Sequence, residues 1–332
     1  MTETNNETPP VHGQTGDIKR TLNIAVLETG QPSKPTMELV PGGYPVMFRN
    51  LLAEALSTIP RYEWHPKMSL FIRSFNVLQA EPPDVDELGE GKWDAVLVTG
   101  NLGSATEDAM WMDVMCKYLV HVATEHPLVR IIGIGFGHQI IARAFGGKVM
   151  KNPAGPELGV RPFDLTREGI EILTPLEPRS TWALEQLHED CVSEMPPALN
   201  GELFSGLGSN AQTPIQGMVL RYPSEAPPMP SVVNTSSYIA FDVDDSVTGA
   251  AGPSPIRNAH IVTLQGHPEF TTGVTLAELE GAYAAGCIDD AALRDGRAHA
   301  DKMQNGLETG RMLLGMLGIE PATADVPLDR AA

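Results

Sequence analysis

The sequence predicts an α/β fold, a doubly wound and mostly parallel sheet flanked by helices, and three observations carry that prediction. Apolar runs of strand character recur at Leu22 to Leu27, Trp93 to Thr99 and Val129 to Ile134. Stretches with apolar residues at helical spacing lie between and after them, Trp111, Val114, Met115, Tyr118, Leu119 and Val122 being the clearest. The second of the runs stops at Gly100 and the third leads into a glycine-rich turn. In sheets of this kind ligands sit beyond the carboxyl ends of the strands, so the turns after Val98 and Ile134 are the places to look for chemistry.

Taken in order, the first strand passes into a Pro- and Gly-rich loop from Gly30 to Pro45, then a helix over about Val46 to Ser57 with Met47, Leu51, Leu52 and Ala55 on one face. Ser69 to Ala80 reads as a strand running toward Pro82 and Pro83. The Trp111 to Val122 stripe reads as core packing, and a helix opens near His138. In the second half Lys148 to Leu165 and Gly217 to Arg221 have strand character, and His260 to Leu264 is a last clear strand. Residues 223–255, rich in Pro, Ser, Gly and Asp, read as an insertion over the surface. Met303, Leu307, Met312, Leu313, Met316 and Leu317 form a helical stripe near the end. The organisation expected is a polar tail over residues 1–20, one domain over 21–319 and a second polar tail over 320–332, with no repeat of fixed period.

Composition narrows the partners. Of 332 residues, 42 are acidic and 23 basic, for a formal charge of −19, which repels phosphate backbones and anionic lipid. Nucleic acid and membrane surfaces are therefore not expected partners, and a small-molecule substrate is. Met1 to Arg20 has no apolar core of a signal peptide, and no run approaches the roughly 20 apolar residues of a membrane span, so a cytoplasmic protein is expected. Cys116, Cys191 and Cys287 form no CxxC pair and read as reduced thiols.

Gly133-Ile134-Gly135-Phe136-Gly137-His138-Gln139 has the spacing of a strand-to-helix elbow, in which small residues flank one central position. GIGFGHQIIARAFGGKV resembles the GICFGHQ signature of class I glutamine amidotransferase domains in all but one residue. Gln265-Gly266-His267-Pro268-Glu269-Phe270 resembles the HPE motif of that family, and Glu157-Leu158-Gly159, Leu187-His188-Glu189-Asp190 and Pro214-Ile215-Gln216-Gly217 follow its order. The resemblance spans about Leu22 to Gly318, is nearest the stand-alone fungal members, and departs from them at residues 223–255. It implies the flavodoxin-like class I amidotransferase fold. In the family the elbow cysteine attacks the glutamine amide, the HPE histidine is its base and the glutamate orients that histidine. The resemblance thus makes His267 and Glu269 the catalytic pair. It gives the oxyanion hole to the backbone at Phe136 and at Gly100 and Asn101, and substrate contacts to Gln139, His138 and His188. Gly135 stands in the nucleophile's place.

A thioacyl intermediate needs a thiolate, and glycine supplies none. Glycine also adopts the strained angles of an elbow at little cost, so the turn is expected to persist, with the Phe136 N–H aimed into the site and room left where the side chain is missing. A base and an anion hole suit proton abstraction beside a carbonyl. Cys191 is not expected to replace the thiol, because an offset of three from His188 on an extended segment puts the two on opposite faces. Imidazoles and carboxylates such as His138, His188, His267 and Glu269 suit several divalent ions, but nothing in their spacing shows convergence, and neither metal nor cofactor is expected.

Three functions follow. The first is an enzyme with cysteine-independent acid-base chemistry, a lyase, isomerase, cyclase or non-covalent hydrolase acting on a small carbonyl-containing metabolite, in fungal secondary metabolism. The second is a non-catalytic pseudo-amidotransferase that binds a ligand or partner. The third is a Cys-to-Gly change in an otherwise ordinary glutaminase or gamma-glutamyl hydrolase. No GxxxxGK[ST] loop is present, so any synthase partner would be a separate chain.

Overall fold

A computed structural model describes residues 19–59, 67–174, 178–223 and 255–319. The first half runs β1 (Lys19–Glu28), α1 (Lys34–Leu39), α2 (Gly43–Thr58), β2 (Lys67–Asn76), α3 (Val85–Gly89), β3 (Ala95–Val98), α4 (Met110–Glu125), β4 (Arg130–Ile134) and α5 (Phe136–Ala144). The second continues with β5 (Lys148–Lys151), β6 (Glu157–Leu165), α6 (Arg167–Leu173), β7 (Thr181–His188), β8 (Asp190–Glu194), β9 (Ser205–Ser209) and β10 (Gly217–Arg221). β11 (Ala259–Leu264), α7 (Thr272–Ala284), α8 (Asp290–His299) and α9 (Gly306–Met316) complete it.

Nine strands form one sheet in the order β2-β1-β3-β4-β11-β10-β9-β6-β7. The first five are mutually parallel and the remainder pair antiparallel, with β5 and β8 in a separate two-stranded sheet. Strand alternation splits the apolar residues between two faces. Ala95 and Leu97 of β3 join a core with Phe48 and Leu52 of α2 and Leu313 and Leu314 of α9. Val96 and Val98 face the other way, onto Met115 and Leu119 of α4 and Ile140 and Ile141 of α5. Both faces of the parallel strands are covered, which is why β3 and β4 read as unbroken apolar runs.

Several elements differ from their sequence-based expectation. The loop expected from Gly30 to Pro45 contains α1, which Pro35 opens in its first turn and which buries Thr36. Lys148 to Leu165 is two strands in two sheets, separated by a turn with Gly155 at φ +86°. Met303 is 94% exposed, outside the buried stripe, which starts only in α9. Lys19 and Arg20, expected in the tail, already pair with β2. The rest of that tail, nearly all of the 223–255 insertion and the whole of the 320–332 tail lie outside the described residues.

Glycine brings α5 against the sheet. A Cβ on Gly137 would run into the carbonyl of Val98 in β3, and one on Gly133 would strike the Gly137 carbonyl carbon at 2.8 Å. Gly137→Ala is therefore expected to cost about 2–3 kcal/mol through overpacking against backbone that cannot yield. Gly206→Ala, where an added Cβ meets nothing within 4 Å, serves as the control. Urea midpoints that coincide for the two variants would contradict this close approach.

Candidate active site

Gly135 sits at the end of β4 and the start of α5 with φ +59° and ψ −115°, a conformation that side chains rarely adopt. Its N–H bonds to the Leu264 carbonyl of β11 at 2.9 Å, tying the elbow to the strand that leads to His267. The loop after β11 is pinned in turn, because the His267 N–H bonds to the Glu185 carbonyl of β7 at 2.7 Å. Gly266 permits that approach, since a Cβ there would meet the Leu184 Cβ at 2.6 Å. Gln304 donates to the Phe270 carbonyl at 3.0 Å and holds the loop from the other side.

His267 Nδ1 lies 2.8 Å from Glu269 Oε1, and both side chains are almost fully buried. The carboxylate fixes the tautomer in which Nδ1 carries the proton and Nε2 the lone pair. The ring stacks on Phe270 with centroids 4.2 Å apart. Its other edge fills the space beside the elbow: an ideal Cβ on Gly135 would fall 2.5 Å from Cε1 and 2.6 Å from Nε2. The room expected at the missing side chain is thus taken by the imidazole itself. Across the ring stands Gly100, where a Cβ would meet Cε1 at 3.1 Å and the Tyr44 hydroxyl at 2.8 Å.

The turn after β3 is braced from β1. Thr29 Oγ1 donates to the Thr99 and Gly100 carbonyls at 3.2 and 3.1 Å. Asn101 donates to the Thr29 carbonyl and accepts from the Gly103 N–H at 2.7 Å, so its side chain shapes the turn. Phe136 opens α5, where the first N–H groups of a helix have no intrahelical acceptor.

The structure gathers His267, Glu269, Gly135, Phe136 and Gly100 into one place, but turns Gln139, His138 and His188 inward. Gln139 Nε2 donates to the Asp190 carbonyl at 2.9 Å and to Gln265 Oε1 at 3.2 Å. His188 Nδ1 reaches the same Asp190 carbonyl at 2.9 Å, and its Nε2 stands 3.2 Å from Glu157 Oε2. Glu157 also accepts from Asn210, Thr213 and Gln216 at 2.5, 2.7 and 3.0 Å. Burial alone would raise this carboxyl, yet His188 and these donors outweigh it and hold it below its ordinary value. His138 is fully buried, with Nδ1 2.7 Å from Thr263 Oγ1. Burial first, and His188 second, lower it to about 3.

Sequence reasoning did not single out Tyr44, Glu185 or Glu278. Tyr44 follows Gly42 and Gly43, both at positive φ, a double-glycine turn before an aromatic residue that could have marked it. Glu185 is 1% exposed and pairs by backbone with His267, and burial pushes it up to about 8. Glu278 is fully buried on α7 and accepts from the Ser33 N–H at 2.9 Å. One oxygen of each of Glu185, Glu269 and Glu278 has no hydrogen-bond partner among the described residues. Burial raises the Cys191 thiol, with Asp190 and Glu157 adding to the effect, and raises Cys116 to about 11, so neither is an activated nucleophile. Among the described residues no group of three or more His, Cys, Asp and Glu side chains is arranged to hold a metal ion, and no helix is long and apolar enough to cross a membrane.

Comparison with known proteins bears on the fold and the family. The chain is 27% identical over 256 residues to a glutamine amidotransferase-like protein of Schizosaccharomyces pombe, covering 76% of this chain and 81% of that one. It is 30% identical over 125 residues to gamma-glutamyl peptidase 3 of Arabidopsis thaliana, covering 37% of this chain and 49% of the peptidase. It is 28% identical over 127 residues to the glutamine amidotransferase-like protein chyE of Penicillium rubens, covering 37% and 53%. A glutamine amidotransferase crystal structure from Thermotoga maritima superimposes with a TM-score of 0.55 at 13% identity, covering 90% of this chain and 98% of that one, which shows the fold. No family model matches the chain. Sequence relatives and structural neighbours together support a class I glutamine amidotransferase-like domain.

The buried His138 carries a pH dependence. Its ordinary value is near 6.5 and its folded value about 3, so between them the unfolded chain binds a proton that the folded chain refuses. Stability is therefore complete above about pH 6.5 and falls as the pH drops toward 3. Urea midpoints between pH 7 and pH 4 are expected to fall more steeply for the native chain than for His138→Gln. Parallel slopes would contradict the assignment.

Proposed function

We propose that the chain is an amidotransferase-like enzyme that performs acid-base chemistry with His267 and Glu269, without a covalent thiol intermediate, on a small carbonyl-containing metabolite. The observation that carries this reading is the elbow at Gly135. Its backbone is bent as if to present a nucleophile, it has no side chain, and the Nε2 of a glutamate-held histidine lies where that side chain would begin. Nε2 takes a proton from the carbon beside the carbonyl, and Glu269 stabilises the imidazolium that results. The charge arriving on the oxygen faces the Phe136 N–H and the Gly100 turn.

The relatives support amidotransferase-like chemistry in general. The likeness to the glutamine amidotransferase-like protein chyE of the fungus Penicillium rubens supports a place in fungal secondary metabolism. A ligand-binding protein without turnover is the second reading, and the burial of His267 and Glu269, each about 5% exposed or less, favours it. A Cys-to-Gly change in a gamma-glutamyl hydrolase is a third, consistent with the peptidase relatives.

Two assays separate these. Glutamine and gamma-glutamyl dipeptides are given to the native chain and to Gly135→Cys, and released ammonia or glutamate is measured. Neither is expected to turn over, and turnover by the variant alone would return the pocket to ordinary amidotransferase chemistry. In heavy water, the native chain is expected to exchange deuterium into the carbon beside the carbonyl of its substrate class, and His267→Ala to slow that exchange at least about 100-fold. Exchange that survives His267→Ala would remove His267 as the base.

A further inference from the structure

Tyr44 is 2% exposed, yet it is not simply core. The two positive-φ glycines before it turn the chain back from α1, so that α2 begins with the Tyr44 ring aimed at the strand ends. Met47, Phe48 and Leu51 on the next turns anchor that end of the helix in the core. The phenol oxygen lies beside Gly100, 2.8 Å from where a Cβ would stand, and the same point lies 3.1 Å from His267 Cε1. That carbon is also the atom 2.5 Å from the missing Cβ of Gly135. The hydroxyl and the imidazole edge thus meet beside Gly100, and the same imidazole edge closes on Gly135.

We propose that Tyr44 is the side-chain hydrogen-bond donor of this site, its hydroxyl directed at the substrate oxygen that becomes negative when His267 removes a proton. The proposal rests on the acid-base reading above and adds a residue to it. In the step, His267 Nε2 binds the proton from the carbon beside the carbonyl, and the C–H electron pair becomes the carbon-carbon double bond. The carbonyl π pair moves onto oxygen, which accepts from the Phe136 N–H and from Tyr44. The proton then leaves Nε2 for carbon or for another substrate atom, so nothing is oxidised or reduced. Burial, then the Glu278 and Glu269 carboxylates, push the phenol well above its ordinary value, so Tyr44 stays protonated and acts as a donor rather than as a second base. A donor that does not ionise also suits a pocket already holding several carboxyl groups, because it stabilises charge on a substrate without adding a cation of its own.

The test needs no known substrate, because Gly135→Cys installs an anion in this region. The thiol pKa is read from the pH dependence of iodoacetamide alkylation, alone and combined with Tyr44→Phe. Loss of one hydrogen bond to a charged group is expected to lower the thiolate fraction about tenfold at a pH below the pKa, with little change in melting temperature. An unchanged thiol pKa, or a fall in melting temperature with the pKa unmoved, would assign Tyr44 a purely structural role and overturn the proposal. If Gly135→Cys does not fold, acetate is titrated into the native chain and into Tyr44→Phe while the His267 Cε1 proton resonance is followed. Tyr44→Phe is expected to weaken acetate about tenfold, whereas equal affinity, or no binding to the native chain, overturns the proposal. Neither readout requires turnover. A Tyr44 effect together with deuterium exchange that ignores His267 leaves the donor standing and removes the acid-base reading, and the opposite pattern does the reverse.

Discussion

The geometry of the site depends on one close approach, that of the first turn of α5 to the carboxyl ends of β3 and β4. Only glycine at 133 and 137 lets helix backbone lie directly on strand backbone, and the elbow at Gly135 that opens α5 then lies against His267. The rest is fixed relative to that contact. The Gly135 N–H holds β11, β11 delivers the His267 loop, and the loop is stitched to β7 by a single backbone bond. A shift of α5 by the width of one methyl group would separate the elbow from the imidazole that lies against it.

Buried polar groups are treated differently on the two sides of this contact. Glu157, His188, Gln139 and Asp190 form a network in which Glu157 has three donors and an imidazole, and the Asp190 carbonyl accepts from two side chains. That arrangement offsets the cost of burying charge and clamps β6, β7, β8 and α5 together. Around His267 the opposite holds. Glu269 meets His267 with one oxygen and nothing with the other, and Glu185 and Glu278 each keep an oxygen without a partner.

How much of this was legible in the sequence depended on the kind of signal. β3, β4 and β11 are short and apolar because both their faces are covered, and composition alone reveals that. The elbow and the His267-Glu269 pair were legible through motif order, since glycine spacing and a two-residue offset survive without tertiary context. Tyr44 was not, because its position depends on the backward turn at Gly42 and Gly43, which also hides α1 inside what reads as a loop. Glu185 was invisible for a related reason. It sits on the strand face opposite Trp182, Leu184 and Gln186, and only the pairing of β7 with the His267 loop gives that face a meaning. His138 and Gln139 show the limit of motif reasoning, because residue identity located them on the right helix turn while their hydrogen bonds direct them into the interior.

The position of the His267 ring bears on whether the site works. Were Gly135 merely the scar of a lost nucleophile, the simplest relaxation would let His267 turn outward, free Glu269 to be solvated and close the gap with apolar side chains. The ring instead lies over the elbow, stacked on Phe270 and bonded at Nδ1, with Cε1 close to both Gly135 and Gly100 and Nε2 beside Gly135. Among the described residues the side chain of Glu269 makes no other hydrogen bond. Burying that carboxylate with a single partner costs stability, and the orientation of Nε2 is what the burial secures. On the proposed acid-base reading, the Glu269-held imidazole beside Gly135 is a base without a nucleophile. On that reading, a proton moves there and no bond to the protein forms.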